Sequence, residues 1–149
     1  MPFRILATSE SFVLGHLCES VEVINMNDNS IVDAGDHYGE PMVGLITPDE
    51  RWFITGGEGL QCYSAETGLI RYFHRGCPPL AADCPEWFWF VHGARLESPH
   101  VVRILINPWC EFASVWQLDL DTGLLTRLRE GPFLAGTPYQ SPPSIVGGY

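Results

Sequence analysis

The sequence predicts an all-β domain, an antiparallel β-meander of about three four-stranded units. Short segments rich in Val, Ile, Phe, Trp and Tyr recur along the chain, bounded by Gly, Asp, Asn, Ser and Pro. Pro or Gly also interrupts most windows that are long enough to hold a helix. With 149 residues, of which 46% are hydrophobic, the chain is long enough to bury the core of one domain.

About a dozen strands are expected, with turn residues between them. They are predicted at 3–8, 11–17, 20–26, 30–34, 41–47, 51–56, 59–64, 68–74, 86–92, 101–107, 113–120 and 123–129. The ninth places Trp87 and Trp89 on one face and two phenylalanines on the other, so both faces are apolar. It is therefore either a central strand covered on both sides or a strand that presents an aromatic face to a partner.

Three segments share the order strand, polar turn, strand, which indicates an internal repeat. They read SVEVINMNDNSIVD, LQCYSAETGLIRYF and SVWQLDLDTGLLTRL. In this comparison Asp28, Glu66 and Asp121 occupy equivalent positions, while Gly68 and Gly123 supply the positive φ of a tight turn. The 38 residues from position 28 to position 66 approach the length of a four-stranded propeller blade, about 40–45 residues.

The segment GLITPDERWFITGGEGLQCYSAETGLI resembles a blade of the WD40 or YVTN class of β-propeller. Its turns at 48–51, 56–59 and 66–68 match the three turns of those repeats. The Gly-His and Trp-Asp signatures of WD40 repeats are absent from the sequence. The resemblance implies about three blades, whereas closed propellers carry roughly 4 to 8. The meander is therefore expected either to stay open or to be completed by dimerisation.

The domain organisation is expected to be simple. One β-domain is predicted over residues 1–132, followed by a Pro- and Gly-rich segment at 133–149 that packs on it and covers a strand edge. The first residues lack the pattern of an export signal, and no stretch approaches the roughly 20 apolar residues of a membrane span. The five cysteines include no CxxC pair, as is typical of free thiols in a reducing compartment. The sequence therefore predicts a cytoplasmic protein.

The charge of the chain is strongly negative and unevenly distributed. Eighteen carboxylates face eight Arg, for a net charge of −10, and residues 1–70 hold eleven of the carboxylates but only two Arg. Such a field repels phosphate backbones and anionic membranes, whereas it attracts basic proteins. The charge therefore predicts a basic protein as the partner and argues against nucleic acid and membrane.

Two motifs have the composition of chemical sites. Asp121-Thr122-Gly123 is the triplet of aspartic proteases, but a recurring hairpin turn explains it better, because the other repeats carry similar triplets. A zinc site is conceivable at His74, Cys77, Cys84 and His92. Their spacing matches no common zinc motif, and the prolines among them indicate a loop. We predict no catalytic residue, no metal and no cofactor.

The expected function is that of a non-catalytic protein-binding module. In size and charge the chain resembles bacterial immunity and antitoxin proteins, which implies that it docks on a basic protein, such as a toxin, and blocks it. Carboxylates would steer this association and aromatic anchors would slow dissociation. The candidate contact residues are Asp33, Asp36, Glu40, Asp49, Glu50, Glu58, Trp87 and Trp89. The alternatives are a propeller-like scaffold that self-associates as a homodimer, and an aspartic-type hydrolase that uses Asp121.

Overall fold

Three four-stranded antiparallel sheets make up the part of the protein described by this computed structural model, residues 2–73, 90–106 and 113–130. The first sheet contains β1 (Arg4–Thr8), β2 (Phe12–Leu17), β3 (Ser20–Asn25) and β4 (Ile31–Asp36). The middle sheet contains β5 (Val43–Ile46), β6 (Trp52–Gly57), β7 (Gly59–Ser64) and β8 (Ile70–Phe73). The third sheet contains β9 (Val91–Ser98), β10 (Val101–Ile106), β11 (Ser114–Asp119) and β12 (Leu125–Glu130).

The all-β fold class and its division into four-stranded units are confirmed. Eleven strands match their predicted ranges to within two residues, and each sheet is a meander in chain order. The ninth strand differs, because β9 extends to Ser98 through the polar sequence HGARLES. Pairing with β10 along its whole length overrides the low β-propensity of these residues. These ranges contain no helix, and so none that could cross a membrane.

The three sheets stack face to face, and β5 contacts β1 on one side and β9 on the other. One core joins the first and middle sheets and includes Leu14 and Phe53. A second core joins the middle and third sheets and includes Ile54 and Ile104. The middle sheet is therefore covered on both faces, and every residue of β5 and β7 is buried.

Glycines allow the sheets to approach closely. A Cβ atom at Gly44 would lie 2.5 Å from Cβ of Leu6 in the first sheet. A Cβ atom at Gly56 would lie 2.6 Å from Cγ1 of Val91 in the third sheet. Any larger residue at either position would push neighbouring sheets apart, because close-packed interiors leave no room for an added methyl group.

The turn between the third and fourth strands is the same in all three sheets. The amides of Asn29, Gly68 and Gly123 each donate to the carbonyl four residues earlier, at 2.8 Å. All three residues have a positive φ, between 61° and 76°. The internal repeat is therefore confirmed, with Asn29 as the left-handed residue of the first copy.

The equivalence of the three turns shifts the alignment of the first repeat by one residue from the alignment predicted from the sequence. Oδ1 of Asp28 accepts a hydrogen bond from the amide of Ser30, at 2.9 Å. The hydroxyls of Thr67 and Thr122 accept the corresponding bond at 3.2 Å. Asp28 is thus the counterpart of these threonines and not of Glu66 and Asp121, and the first copy reaches the same turn with an Asx motif.

The turns alternate between two ends of the stack because each sheet is an antiparallel meander. We call the upper end the one that carries the turns at 9–11, 26–30, 47–51, 65–69, 99–100 and 120–124. The lower end carries the turn at 18–19, Glu58, and the connection at 37–42 between the first and middle sheets. The predicted C-terminal segment at 133–149 lies outside the described residues, so the proposed domain division stays a prediction.

Two free cysteines lie in the described part of the chain, Cys18 and Cys62. Cys18 is partly exposed, whereas Cys62 is buried in the core between the middle and third sheets. Burial raises the pKa of the Cys62 thiol to about 12. This thiol therefore serves as a small core side chain and stays protonated at neutral pH.

Candidate interaction surfaces

At the upper end, His100 lies between carboxylates of two different sheets. Its Nε2 is 2.5 Å from Oδ2 of Asp49 in the middle sheet, and its Nδ1 is 2.8 Å from Oδ1 of Asp121 in the third sheet. A neutral imidazole donates from only one nitrogen, so an imidazolium satisfies both contacts with two ionised carboxylates. The bond to Asp49, followed by that to Asp121, raises the pKa of His100. The group is a charge-assisted link between the two sheets.

Asp49 is fully engaged by its own turn and by this link. Its Oδ1 accepts from the Thr47 hydroxyl at 2.7 Å and from the Arg51 amide at 3.1 Å. Partial burial opposes ionisation, but the bonds from Thr47, His100 and Arg51 outweigh it and lower the pKa of Asp49 to about 2. Both carboxylate oxygens therefore stabilise the fold.

Glu50 connects the middle sheet to the first. It has a positive φ of 60°, and its Oε2 accepts from the Ser9 hydroxyl at 2.5 Å and from the Ser11 amide at 3.0 Å. The carboxylates of residues 49 and 50 thus join all three sheets at their upper end. Two of the carboxylates predicted to bind a partner are in this way used within the molecule.

Asp121 belongs to the repeated turn. Its amide donates to Oδ1 of Asp119 at 2.9 Å, while its side chain contacts His100 and no second aspartate among the residues described. The turn explanation of the Asp-Thr-Gly triplet is confirmed by its equivalents in the other two sheets. The aspartic-protease arrangement needs two aspartates that share a proton, and the contacts of Asp121 are of a different kind.

The metal hypothesis falls largely outside the described residues, since only His92 of its four ligands lies within them. His92 is half-buried, and burial lowers its pKa. Within the described ranges, no group of three or more His, Cys, Asp or Glu residues could hold a metal ion.

The other four predicted carboxylates lie toward the opposite end of the molecule. Asp36 ends β4, Glu40 lies in the 37–42 connection, and Glu58 lies between β6 and β7. Asp33 is exposed on the edge strand β4. The structure thus separates these four from the pair at the upper end, and Trp87 and Trp89 lie outside the described residues.

The 37–42 connection is fixed by contacts with both sheets that it joins. Nε2 of His37 lies 2.8 Å from the Thr55 hydroxyl, and the His37 amide donates to the carbonyl of Glu19 at 2.9 Å. The amide of Gly39 donates to the Glu19 carboxylate. Burial lowers the pKa of His37 to about 4, so this buried imidazole is neutral at neutral pH. The connection therefore has a defined conformation.

This fixed connection presents large side chains to solvent. Tyr38 is 82% exposed. Met42, in the same connection, and Tyr72, on β8, are partly exposed. Burial, followed by the charges of Asp36 and Asp33, raises the pKa of Tyr72, which reflects the proximity of these carboxylates. We define the lower surface as Asp33, Asp36, Tyr38, Glu40, Met42, Glu58 and Tyr72.

The three large side chains of the lower surface are not among the contact residues predicted from the sequence. Tyr38 and Met42 belong to the segment DHYGEPM, which has no strand or helix periodicity. The one indication of an exposed side chain in this segment was a tyrosine inside a Gly- and Pro-containing connection between two repeats. Whether such a residue packs inward or points outward depends on contacts with the neighbouring sheets, which a local pattern does not specify.

A second exposed feature is the face of the first sheet that points away from the middle sheet. Register places Val13, Ile24 and Ile31 in one row on this face, with Ile5 on the neighbouring row. Ile31 is 59% exposed and Ile5 is 56% exposed. The ring of Phe3 lies over Gly15 on the same side, 2.4 Å from the position of a Cβ atom. We call this apolar surface the outward face of the first sheet.

The three-sheet stack matches solved structures. The β-propeller domain of Cps50 (Swd1) from Myceliophteria thermophila superposes with a TM-score of 0.57 at 10% identity, over 86% of this chain and 39% of that one. The computationally designed Ika8 protein gives 0.51 at 16% identity, over 83% and 35%. The N-terminal domain of Nup159 gives 0.50 at 12% identity, over 87% and 35%. The chain has a β-propeller fold.

The three sheets of this propeller segment are its blades, and their resemblance to WD40-like repeats is confirmed. The chain spans between 35% and 39% of the length of these three structures. No family model and no curated protein matches the sequence. At such low identities the likeness shows the fold alone, so function must be argued from the surfaces of this chain.

Proposed function

We propose that this propeller segment is a non-catalytic protein-interaction scaffold that binds a basic protein through its lower surface. The likeness of the fold supports a scaffold, since the blades are what this chain shares with the matched structures. Nothing in the comparisons supports an immunity or antitoxin role or a hydrolase. The scaffold alternative is thereby favoured over the expected toxin inhibitor, and a basic protein stays the proposed type of partner.

The exposure of Tyr38 on a fixed connection carries this proposal. Tyrosine and methionine are enriched at the centres of protein interfaces. Since His37 and the Gly39 amide hold the connection in place, the backbone at Tyr38 would lose little conformational freedom on binding. Pre-organisation of this kind improves affinity by reducing the entropy lost on association.

The charge of the lower surface favours a basic partner. Asp33, Asp36, Glu40 and Glu58 belong to the lower surface together with these exposed side chains, and all four are carboxylates. Carboxylates at the rim of an interface accelerate encounter with a positively charged protein. Those at the upper end contribute less, because Asp49 and Glu50 accept hydrogen bonds from other sheets, whereas Asp33 and Asp36 each accept one bond, from Gly35 and Ser20 of their own sheet.

Site-specific photo-crosslinking in the native cell tests the proposal. A photoreactive phenylalanine replaces Tyr38 in one variant and Leu124 in the control, since Leu124 is 66% exposed but lies at the upper end. We expect an adduct with a distinct protein at position 38 and none with that protein at position 124. Equal labelling at both positions, or no adduct at position 38, would contradict the proposal.

The isolated partner then provides a kinetic test of the charge argument. Its association rate should fall at least about tenfold when the salt concentration rises from about 0.05 M to about 0.5 M, because salt screens exposed charges. The variant Glu40→Gln, which neutralises an exposed carboxylate of the lower surface, should associate more slowly at low salt and equally fast at high salt. An association rate that is independent of salt would contradict an acidic docking surface.

A further inference from the structure

Two leucines at the upper end occupy equivalent positions in neighbouring sheets and face solvent. Leu69 follows Gly68 in the turn of the middle sheet, and Leu124 follows Gly123 in the turn of the third sheet. Leu69 is 69% exposed and Leu124 is 66% exposed. The equivalent residue of the first sheet is Ser30, so the repeated turn does not itself require an apolar side chain here. Apolar side chains that lie together on a surface indicate an interaction site.

Arg71 reaches from the first of these turns to the second. It lies on β8, two residues after Leu69, and a Cβ atom at Gly123 would overlap its guanidinium. The guanidinium therefore lies against the turn that carries Leu124. Arg71 also lines a small apolar recess between the two sheets, together with Trp52, Cys62, Phe73, Leu118 and Leu120. Its aliphatic stem can cover these side chains while the charged end stays in water, as is usual for long cationic side chains.

No carboxylate forms an ion pair with Arg71 across residues 2–73, 90–106 and 113–130. The carboxylates of the two turns bond to other groups: Glu66 to Arg51, Asp121 to His100, and Asp119 to the amides of its own turn. The N–H donors of the Arg71 guanidinium, which is exposed, are therefore available to an acceptor from another molecule.

A carboxylate is the acceptor that best matches this guanidinium, because the two can form a pair of parallel, charge-assisted hydrogen bonds. The leucines on either turn favour apolar side chains on both sides of that carboxylate. Alternate side chains of an extended segment point to the same side, so one such segment can present all three. The net charge of −10 repels an acidic partner at a distance, and selection must therefore come from direct contact.

We propose that Leu69, Arg71 and Leu124 form a second docking surface, the leucine-arginine surface. Its partner is an extended protein segment that carries an acidic side chain between two large apolar ones. The proposal goes beyond the scaffold function, because it assigns a partner of the opposite charge to the upper end of the molecule.

A titration of the full chain with two matched peptides, followed by nuclear magnetic resonance, tests the proposal. The probe is acetyl-Leu-Ser-Glu-Ser-Leu-amide, and the control peptide has Gln in place of Glu. At about 0.15 M salt, which screens the net charge of the chain, the probe should shift the methyl signals of Leu69 and Leu124 and the Nε–H signal of Arg71. The control peptide should bind at least about threefold more weakly, because a neutral amide accepts weaker hydrogen bonds than a carboxylate.

Three variants at exposed positions separate this contact from general charge. Arg71→Gln should weaken binding of the probe at least about threefold and abolish its preference over the control peptide. Leu124→Ser should weaken both peptides alike, since it removes only apolar contact. Arg4→Gln is the matched control: it removes an exposed arginine of the first sheet and should leave both affinities unchanged.

Several results would overturn the proposal. These are equal affinity of the wild type for both peptides, undiminished binding by Arg71→Gln or Leu124→Ser, and equal weakening by Arg4→Gln. Absence of binding up to about 20 mM peptide would also overturn it, as would follow if another part of the chain or a second copy covered the surface.

The outcome is separable from that of the lower surface. Arg71→Gln and Leu124→Ser keep the four carboxylates and the connection that presents Tyr38, so the adduct at position 38 should still form in both. Loss of that adduct from otherwise unchanged protein refutes the scaffold proposal alone, whereas equal binding of the two peptides refutes the leucine-arginine surface alone.

Discussion

At the scale of single residues, His100 has the most consequential contacts at the upper end. It links Asp49 of the middle sheet to Asp121 of its own sheet, and both nitrogens take part. The histidine and its partners are partly exposed, so water screens the interaction and limits its contribution to that of a surface ion pair, up to about 1 kcal/mol.

The raised pKa of His100 gives this link a definite pH dependence. Because the folded-state pKa lies above the value of the unfolded chain, about 6.5, its stabilisation is complete below that pH. It is lost as the pH rises through the folded pKa. We expect the free energy of unfolding of wild type to exceed that of His100→Gln by up to about 1 kcal/mol at pH 6, and by less at pH 9.

Urea unfolding of both proteins across this range measures the difference. The subtraction cancels the opposite dependence of His37, whose depressed pKa of about 4 destabilises the fold as the pH falls from about 6.5. A difference that is constant from pH 6 to pH 9 would show that His100 is not charged in the folded state.

At the scale of elements, the repeated turn explains how different sequences build the same hairpin. Asn29, Gly68 and Gly123 occupy the left-handed position, which only a few residue types adopt without strain. The composition of the turn was evident from the sequence, but its alignment in the first copy was not. In the sequence, Asp28 and Asn29 are both candidates for the left-handed position. The hydrogen bonds show that Asn29 occupies it and that Asp28 accepts from the amide of Ser30.

Substitution at this position isolates the backbone requirement. A Cβ atom at Gly68 would meet no other atom within 4 Å, so Gly68→Ala should lower the free energy of unfolding by about 1 kcal/mol through its positive φ alone. Asn29→Gly should change it by less than about 0.5 kcal/mol, since glycine accepts the same conformation. Thermal and urea unfolding measure both; an unchanged stability of Gly68→Ala would contradict the assignment.

The ninth strand shows the limit of local pattern at this scale. The apolar run around Trp87 and Trp89 predicted a strand at 86–92, whereas β9 covers Val91–Ser98. Its polar residues include Arg95 and Glu97, which lie on a face turned away from the middle sheet. A strand that is half charged has little signature of its own, and pairing with β10 defines it.

At the scale of the whole molecule, the middle sheet should be the most stable part. Both of its faces are buried. The side chain of Glu50 bonds it to the first sheet, and that of Asp49 bonds it to the third. Amides buried in this way exchange with solvent only when the whole domain unfolds, while edge strands also open locally.

Hydrogen exchange measured by mass spectrometry checks this ranking. Peptides from the central strands β6 and β7 should exchange at least about tenfold more slowly than peptides from the edge strand β4. Equal protection of β4 and β6 would contradict the ranking.

The all-β class, the three four-stranded units and the turns between them could all be predicted from local sequence. These follow from side-chain alternation and turn chemistry, which act over a few residues and are visible in order along the chain. The part played by each carboxylate could not be predicted in this way, because Asp49 and Glu50 bond to residues of other sheets. The tertiary structure also decided that Tyr38 and Ile31 are exposed, because burial depends on which sheet packs against which, and that is a property of contacts far apart in sequence.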